Sequence, residues 1–99
     1  MITNFIINPQ NFIIMTTLYY KGQPVSAKRL QIVKISEDRG GYALNFGYPN
    51  ASYYLDKVKG RRAPKIGEYI SLYYSSWGFV VACYFRGKCW YRSKDLQEV

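Results

Sequence analysis

The chain contains no histidine, and its 99 residues include only two cysteines and six Asp or Glu. Histidine is the usual general base near neutral pH and the commonest metal ligand, so its absence removes the ordinary route to both chemistries. Cys83 and Cys89 are too few for a zinc site without further thiol or imidazole ligands, and their C-x5-C spacing matches no zinc knuckle. The carboxylates Glu37, Asp38, Asp56, Glu68, Asp95 and Glu98 include no pair spaced as a catalytic dyad. The expectation is a protein with no metal, no cofactor and no enzymatic activity.

Long apolar runs are scarce as well. Met1 to Leu18 is apolar in patches, but Asn4, Asn8, Pro9, Gln10 and Asn11 interrupt it and no Lys or Arg precedes it. It reads as neither a secretory leader nor a membrane span, which implies a cytoplasmic protein with reduced thiols. Asn50-Ala51-Ser52 has the form of a glycosylation acceptor, but no export signal accompanies it.

What is abundant is positive charge and tyrosine. Fourteen Lys and Arg against six acids give a net charge of +8, a self-repelling excess for a small body until a polyanion neutralises it. Nucleic acid is the first expectation for that partner, and an anionic membrane surface or an acidic protein surface the alternative. Eleven of the residues are Tyr, which serves both half-wet sheet faces and binding surfaces because its ring buries area while its hydroxyl keeps a partner. Asn, Ile, Tyr and Lys make up 33 residues, the bias that AT-rich codons produce, which points toward a viral or mobile-element source. The location would then be the host cytoplasm.

The chain reads as one domain over residues 1–99, all-β, with no repeat or linker. Tyr42, Leu44, Phe46 and Tyr48 alternate with Ala43, Asn45 and Gly47, the period of a half-buried strand. Phe12 to Tyr20 and Ala27 to Ile35 read as the arms of a hairpin closed by Lys21-Gly22-Gln23-Pro24. In the turn at 36–41 the Gly40-Gly41 pair is expected to supply positive φ. Ser52 to Val58 is ambiguous, and 59–64 is a loop. Tyr69 to Tyr74 and Phe79 to Tyr91 then form a three-stranded meander with turns at 75–78 and at Arg86-Gly87.

A two-residue turn at Arg86-Gly87 sets Phe85 opposite Lys88, Tyr84 opposite Cys89 and Cys83 opposite Trp90. The two thiols then leave opposite faces and cannot bridge, and both are expected as buried free thiols. In this register Trp90 shares a core face with Phe79, Val81, Cys83 and Phe85, whereas Tyr84 and Tyr91 point away as contact rings.

Three segments resemble the last part of an SH3-like small β-barrel. Pro64-Lys65-Ile66-Gly67-Glu68-Tyr69-Ile70 is similar to the "P-x-x-G-D-x-I" lead-in to a barrel strand. Trp77-Gly78-Phe79-Val80-Val81-Ala82 with Tyr84 to Lys88 is similar to the "W-x-x-V/A … G" hairpin. Trp90 to Val99 is similar to a closing strand, one 3₁₀ turn at Ser93 to Leu96 and a last short strand. The resemblance implies a small SH3-like barrel or a strongly bent antiparallel meander. Its basic charge and lack of an acidic loop set it apart from barrels that read proline-rich peptides.

The candidate contact residues form two sets. Lys57, Lys59, Arg61, Arg62 and Lys65 crowd a loop broken by Gly60 and Pro64, where cations can wrap phosphates and each Arg can grip one bidentately. Arg86, Lys88, Arg92 and Lys94 interleave with Tyr84, Trp90 and Tyr91 on the last hairpin, the arrangement in which rings stack bases and cations track the backbone, with Tyr84 and Tyr91 as the contact rings. Lys21, Lys28, Arg29 and Lys34 either extend this surface or face away from it. The expected function is a small basic module that contacts the backbone of DNA or RNA. The alternative is a viral or mobile-element protein that binds and inhibits a host protein complex. A small RNase toxin is the remote third, since some SH3-like toxins are basic and use Arg or Lys in place of His, although their "P-x-x-G-E-Y-I" element lies near the N-terminus. A homodimer is left open.

Overall fold

The computed structural model describes residues 17–98. Ten strands and no helix occur among them: β1 Leu18–Tyr20, β2 Gln23–Pro24, β3 Ser26–Gln31, β4 Lys34–Glu37, β5 Gly41–Asn45, β6 Tyr53–Asp56, β7 Tyr69–Tyr74, β8 Val80–Phe85, β9 Lys88–Arg92 and β10 Leu96–Glu98. They form three antiparallel sheets in the orders β10-β1-β2, β3-β7-β8-β9 and β4-β5-β6. The all-β, antiparallel expectation holds, but the sheets do not close into one barrel. The chain passes between sheets at bends, as in packings whose corners are made by strands that switch sheets. β2 runs into β3 through Val25, whose N–H donates to the Leu18 carbonyl (2.9 Å). β3 runs into β4 through the buried Ile32, which donates to the Glu68 carbonyl and accepts from Gly67 N–H, each at 2.8 Å.

The first expected hairpin is corrected. Residues 12–16 of its first arm lie outside the described residues. β1 pairs with β2 across Lys21-Gly22, but β3 pairs with β7, from Ser26↔Tyr74 to Gln31↔Tyr69. β3 joins the central sheet because Leu30 pairs with Ile70 over the core there.

The main core lies between the four-stranded sheet and β4-β5-β6. It gathers Leu30, Ile32, Tyr42, Leu44, Phe46, Leu55, Ile70, Leu72, Cys83 and Phe85. The alternation of β5 is visible in it, since Tyr42, Leu44 and Phe46 are buried while Ala43 and Asn45 are exposed. Tyr48 departs from that alternation and is fully exposed. The strand ends at Asn45, whose side chain accepts from Gly47 N–H (2.9 Å) and turns the chain out of the pleat. A smaller core of Val81, Ala82 and Leu96, flanked by Leu18, Tyr20, Val25, Tyr73 and Tyr84, lies on the other side of the central sheet.

The turn at 36–41 forms for a different reason from the one expected. Neither Gly40 nor Gly41 has positive φ. The Asp38 carboxylate instead accepts from both glycine N–H groups, each at 2.9 Å, and from the Tyr54 hydroxyl at 2.6 Å. Gly41 is needed for space, because a Cβ there would run into the Leu55 carbonyl oxygen and the Tyr54 ring. Ser52 to Val58 contains strand β6, paired with β5. A single i→i+3 turn joins β9 to β10, with Leu96 N–H donating to the Ser93 carbonyl (3.2 Å). No helix among the described residues is long and apolar enough to cross a membrane.

Arg86 and Gly87 both take positive φ (54° and 74°), so the two-residue turn of the last hairpin forms as read, with Phe85↔Lys88 and Tyr84↔Cys89. The register then slips by one residue, and Cys83 pairs with Tyr91 instead of Trp90. A bulge places two residues of one strand opposite one of its partner, so Trp90 and Tyr91 turn toward the same side. Tyr91 therefore leaves the face of Tyr84, contrary to the expected pairing of those two rings. A second bulge, at Val81, moves that residue out of the row of Cys83 and Phe85 and into the smaller core. Both cysteines are free, with Cys83 buried and Cys89 exposed, so only one is the buried thiol expected of both.

Candidate nucleic-acid interface

The basic loop and the last hairpin, distant in sequence, meet at one cleft. Gly60, Arg61 and Arg62 of the loop line it with Phe85, Arg86, Lys88 and Trp90 of the hairpin. Arg61 docks the loop: its guanidinium lies 4.9 Å over the Trp90 ring, and Nη1 donates to the Cys89 carbonyl at 3.1 Å. Trp90, read from sequence as core, has two roles. Its ring packs on Phe85 (5.9 Å between centroids) and also lies under Arg61.

Arg86 is the second fastener. Its Nε and Nη2 grip the Glu68 carboxylate at 2.9 and 2.6 Å, while Nη1 and Nη2 also donate to the Arg62 and Ala63 carbonyls at 3.0 and 2.8 Å. A bidentate pair with two further carbonyl bonds leaves little of this guanidinium for a ligand. Arg86 thus holds the loop against the hairpin tip, a positioning role that its charge alone does not reveal. The paired guanidinium holds the Glu68 carboxyl below its usual 4.5.

The remaining predicted residues separate. Lys57 turns away toward the Glu37 carboxylate (2.8 Å) and the Tyr42 ring, and the carboxylate raises its pKa. Lys59 and Lys65 are exposed outside the cleft. Tyr91 lines a different hollow with Tyr53, Leu55, Asp56 and Trp90, on the side to which the bulge turns it. Tyr84 and Arg92 stay together on the outer face of the central sheet, where Arg92 Nη1 donates to the Tyr84 hydroxyl (3.1 Å). Arg92 also stands 3.8 Å from Glu98.

Two residues outside the predicted sets belong to the same outer face. Arg29 pairs with Ser71, which pairs with Tyr84, so all three project to one side. The Arg29 guanidinium lies 4.1 Å over the ring of Tyr69. The sequence signal that would find them is the β3–β7 pairing, which no local pattern announces.

Three of the fourteen cations pair with a carboxylate, and the other eleven have no carboxylate within ion-pair distance among the described residues. The Cys83 thiol, pushed up to about 11 by burial, stays protonated at neutral pH. No group of three or more His, Cys, Asp or Glu able to hold a metal occurs among the described residues. No protein-family model matches the chain, and comparison with curated proteins and with solved structures returns no match.

Proposed function

We propose that this chain is a small nucleic-acid-binding module that grips the phosphate backbone of DNA or RNA through the cleft of Arg61, Arg62 and Lys88. The observation that carries this reading is the convergence. Cations from two segments are fastened around Trp90 by Arg61 and by the Arg86–Glu68 pair, while eleven cations lack an acidic partner among the described residues. Neutralising phosphates releases condensed counterions, so such a surface binds with an affinity that falls steeply with salt. For about five phosphates the slope of log K against log salt is about −3.5 to −4.5.

Fluorescence anisotropy with a labelled oligonucleotide, titrated over salt, measures that slope. Arg62→Ala is the cleaner variant, because the Arg62 side chain is exposed and makes no side-chain hydrogen bond among the described residues, and it lowers the slope by about one. A flat salt dependence, or no binding to DNA or RNA at roughly 50 mM salt, would sink the proposal.

A second reading rests on a different observation. Trp77 and Phe79 are 61% and 48% exposed beside Tyr20, with ring centroids 6.3 and 5.3 Å from it. Exposed aromatic clusters of this kind serve as interface hot spots, which suits a module docking on a host protein complex. Pull-down after nuclease treatment separates the two readings. A stoichiometric protein partner that survives nuclease favours docking, and loss of all partners with the nucleic acid favours the first reading.

A further inference from the structure

We infer that the open outer face of the β3-β7-β8-β9 sheet takes a single strand of nucleic acid with its bases unstacked, the rings of Tyr69 and Tyr84 each accepting one base. This inference rests on the nucleic-acid reading of the neighbouring cleft and adds the form of the ligand.

The sheet register places Arg29, Ser71, Tyr84 and Cys89 in one row across the four strands, with Tyr69 one step along β7 on the same face. Strands β1 and β10 cover one end of this face through the smaller core, where Tyr84 packs edge-on against Tyr73 (5.7 Å between centroids). The rest lies open as a hollow lined by Arg29, Tyr69, Ser71, Tyr84 and Arg86. Glu68 also borders it, but its carboxylate is already held by Arg86.

Two features select a single strand. Tyr69 and Tyr84 are diagonal neighbours on adjacent strands, a relation that sets the two residues about 7–8 Å apart. That is about twice the 3.4 Å rise per nucleotide of a duplex strand, so stacked neighbouring bases cannot reach both rings, whereas unstacked ones can. The second feature is the placement of the cations among the rings. A duplex offers phosphates to cations and gains nothing from rings, whose contribution needs an open base face. Here the Arg29 guanidinium lies over Tyr69, 44% of which remains exposed, and forms with it a cationic stacking platform. Arg92 is tied to the Tyr84 hydroxyl. Arg86 borders both the face and the cleft, so a strand leaving the rings crosses the hairpin tip toward Arg61, Arg62 and Lys88.

The test compares a mixed-sequence single-stranded oligonucleotide with the duplex of the same length at one salt concentration. The single strand is expected to bind the full chain about tenfold more tightly or better. Tyr69→Leu weakens the single strand at least about fivefold and leaves the duplex unchanged. A maleimide on the exposed Cys89, opposite Tyr84, blocks the single strand. If both forms bind equally and neither Tyr69→Leu nor the Cys89 adduct changes that, the inference is overturned and the cleft reading stands. If neither form binds at roughly 50 mM salt, both fall together.

Discussion

The two faces of the central sheet are built from the same strands and differ in almost every physical respect. Inward, Ile70, Leu72, Cys83 and Phe85 are at most 1% exposed and carry no charge. Outward, in between them along the chain, Tyr69, Ser71 and Tyr84 stand beside Arg29, Arg92 and the exposed Cys89. Because side chains alternate with a period of two, adjacent positions answer to different demands. One set excludes water and holds the fold. The other can be charged and aromatic without harm to packing, and so is available for a ligand.

Leu72 and its neighbour Ser71 give the largest contrast. Leu72→Ala removes a side chain with no solvent exposure and is expected to cost about 2–5 kcal/mol in urea unfolding. Ser71→Ala, one residue away on the outer face, should stay within about 0.5 kcal/mol. Equal losses would break the comparison.

Next in size is the fastener between the basic loop and the hairpin tip. Glu68→Gln loosens the bidentate grip on Arg86 and is expected to cost about 1–2 kcal/mol at neutral pH. The sign of its pH dependence follows from the lowered carboxyl. The native state holds its proton less tightly than the unfolded chain, so the contribution is fully present above about pH 4.5 and is lost as pH falls through the lowered value. In Glu68→Gln the acid limb of the stability curve should flatten below that pH. Asp38, whose carboxyl the Tyr54 hydroxyl holds low, keeps part of the slope with the same sign. An acid limb identical to the parent's would show that the pair does not fasten the loop.

The smallest effect on stability, and the sharpest on the two faces, comes from thiol labelling. The native chain should take up one equivalent of maleimide, at Cys89, and a second only in denaturant, because burial pushes the Cys83 thiol up to about 11. Two thiols reacting at the same rate would mean that the register across β8 and β9 is wrong.

Much of this was legible in the residues. Alternation identified β5 with its buried Tyr42 and Leu44, and the buried Phe46 just beyond it, and Arg86-Gly87 identified the two-residue turn. The reading failed where one residue of register mattered. A single bulge at Trp90 sent Tyr91 to the side of Asp56 and separated it from Tyr84. It also failed where a charge was counted without its partner, since Arg86 and Lys57 are held by Glu68 and Glu37. Nothing in the basic loop indicates that its Arg61 stacks on Trp90 or that Glu68 reaches the hairpin tip, because those contacts join residues 18 to 29 positions apart.

By itself, the sequence determined the strand composition, the inward row of β5, the excess of positive charge and the turn of the last hairpin. Each of these depends on residues close together in the chain, through side-chain alternation, turn chemistry or simple summation. The tertiary structure alone decided that β3 pairs with β7, that the basic loop closes on Trp90, and that Arg29 and Tyr69 share a face with Tyr84. Those outcomes depend on which distant strands bury each other's apolar rows, and a slip of one residue in that pairing carries a side chain to the opposite face.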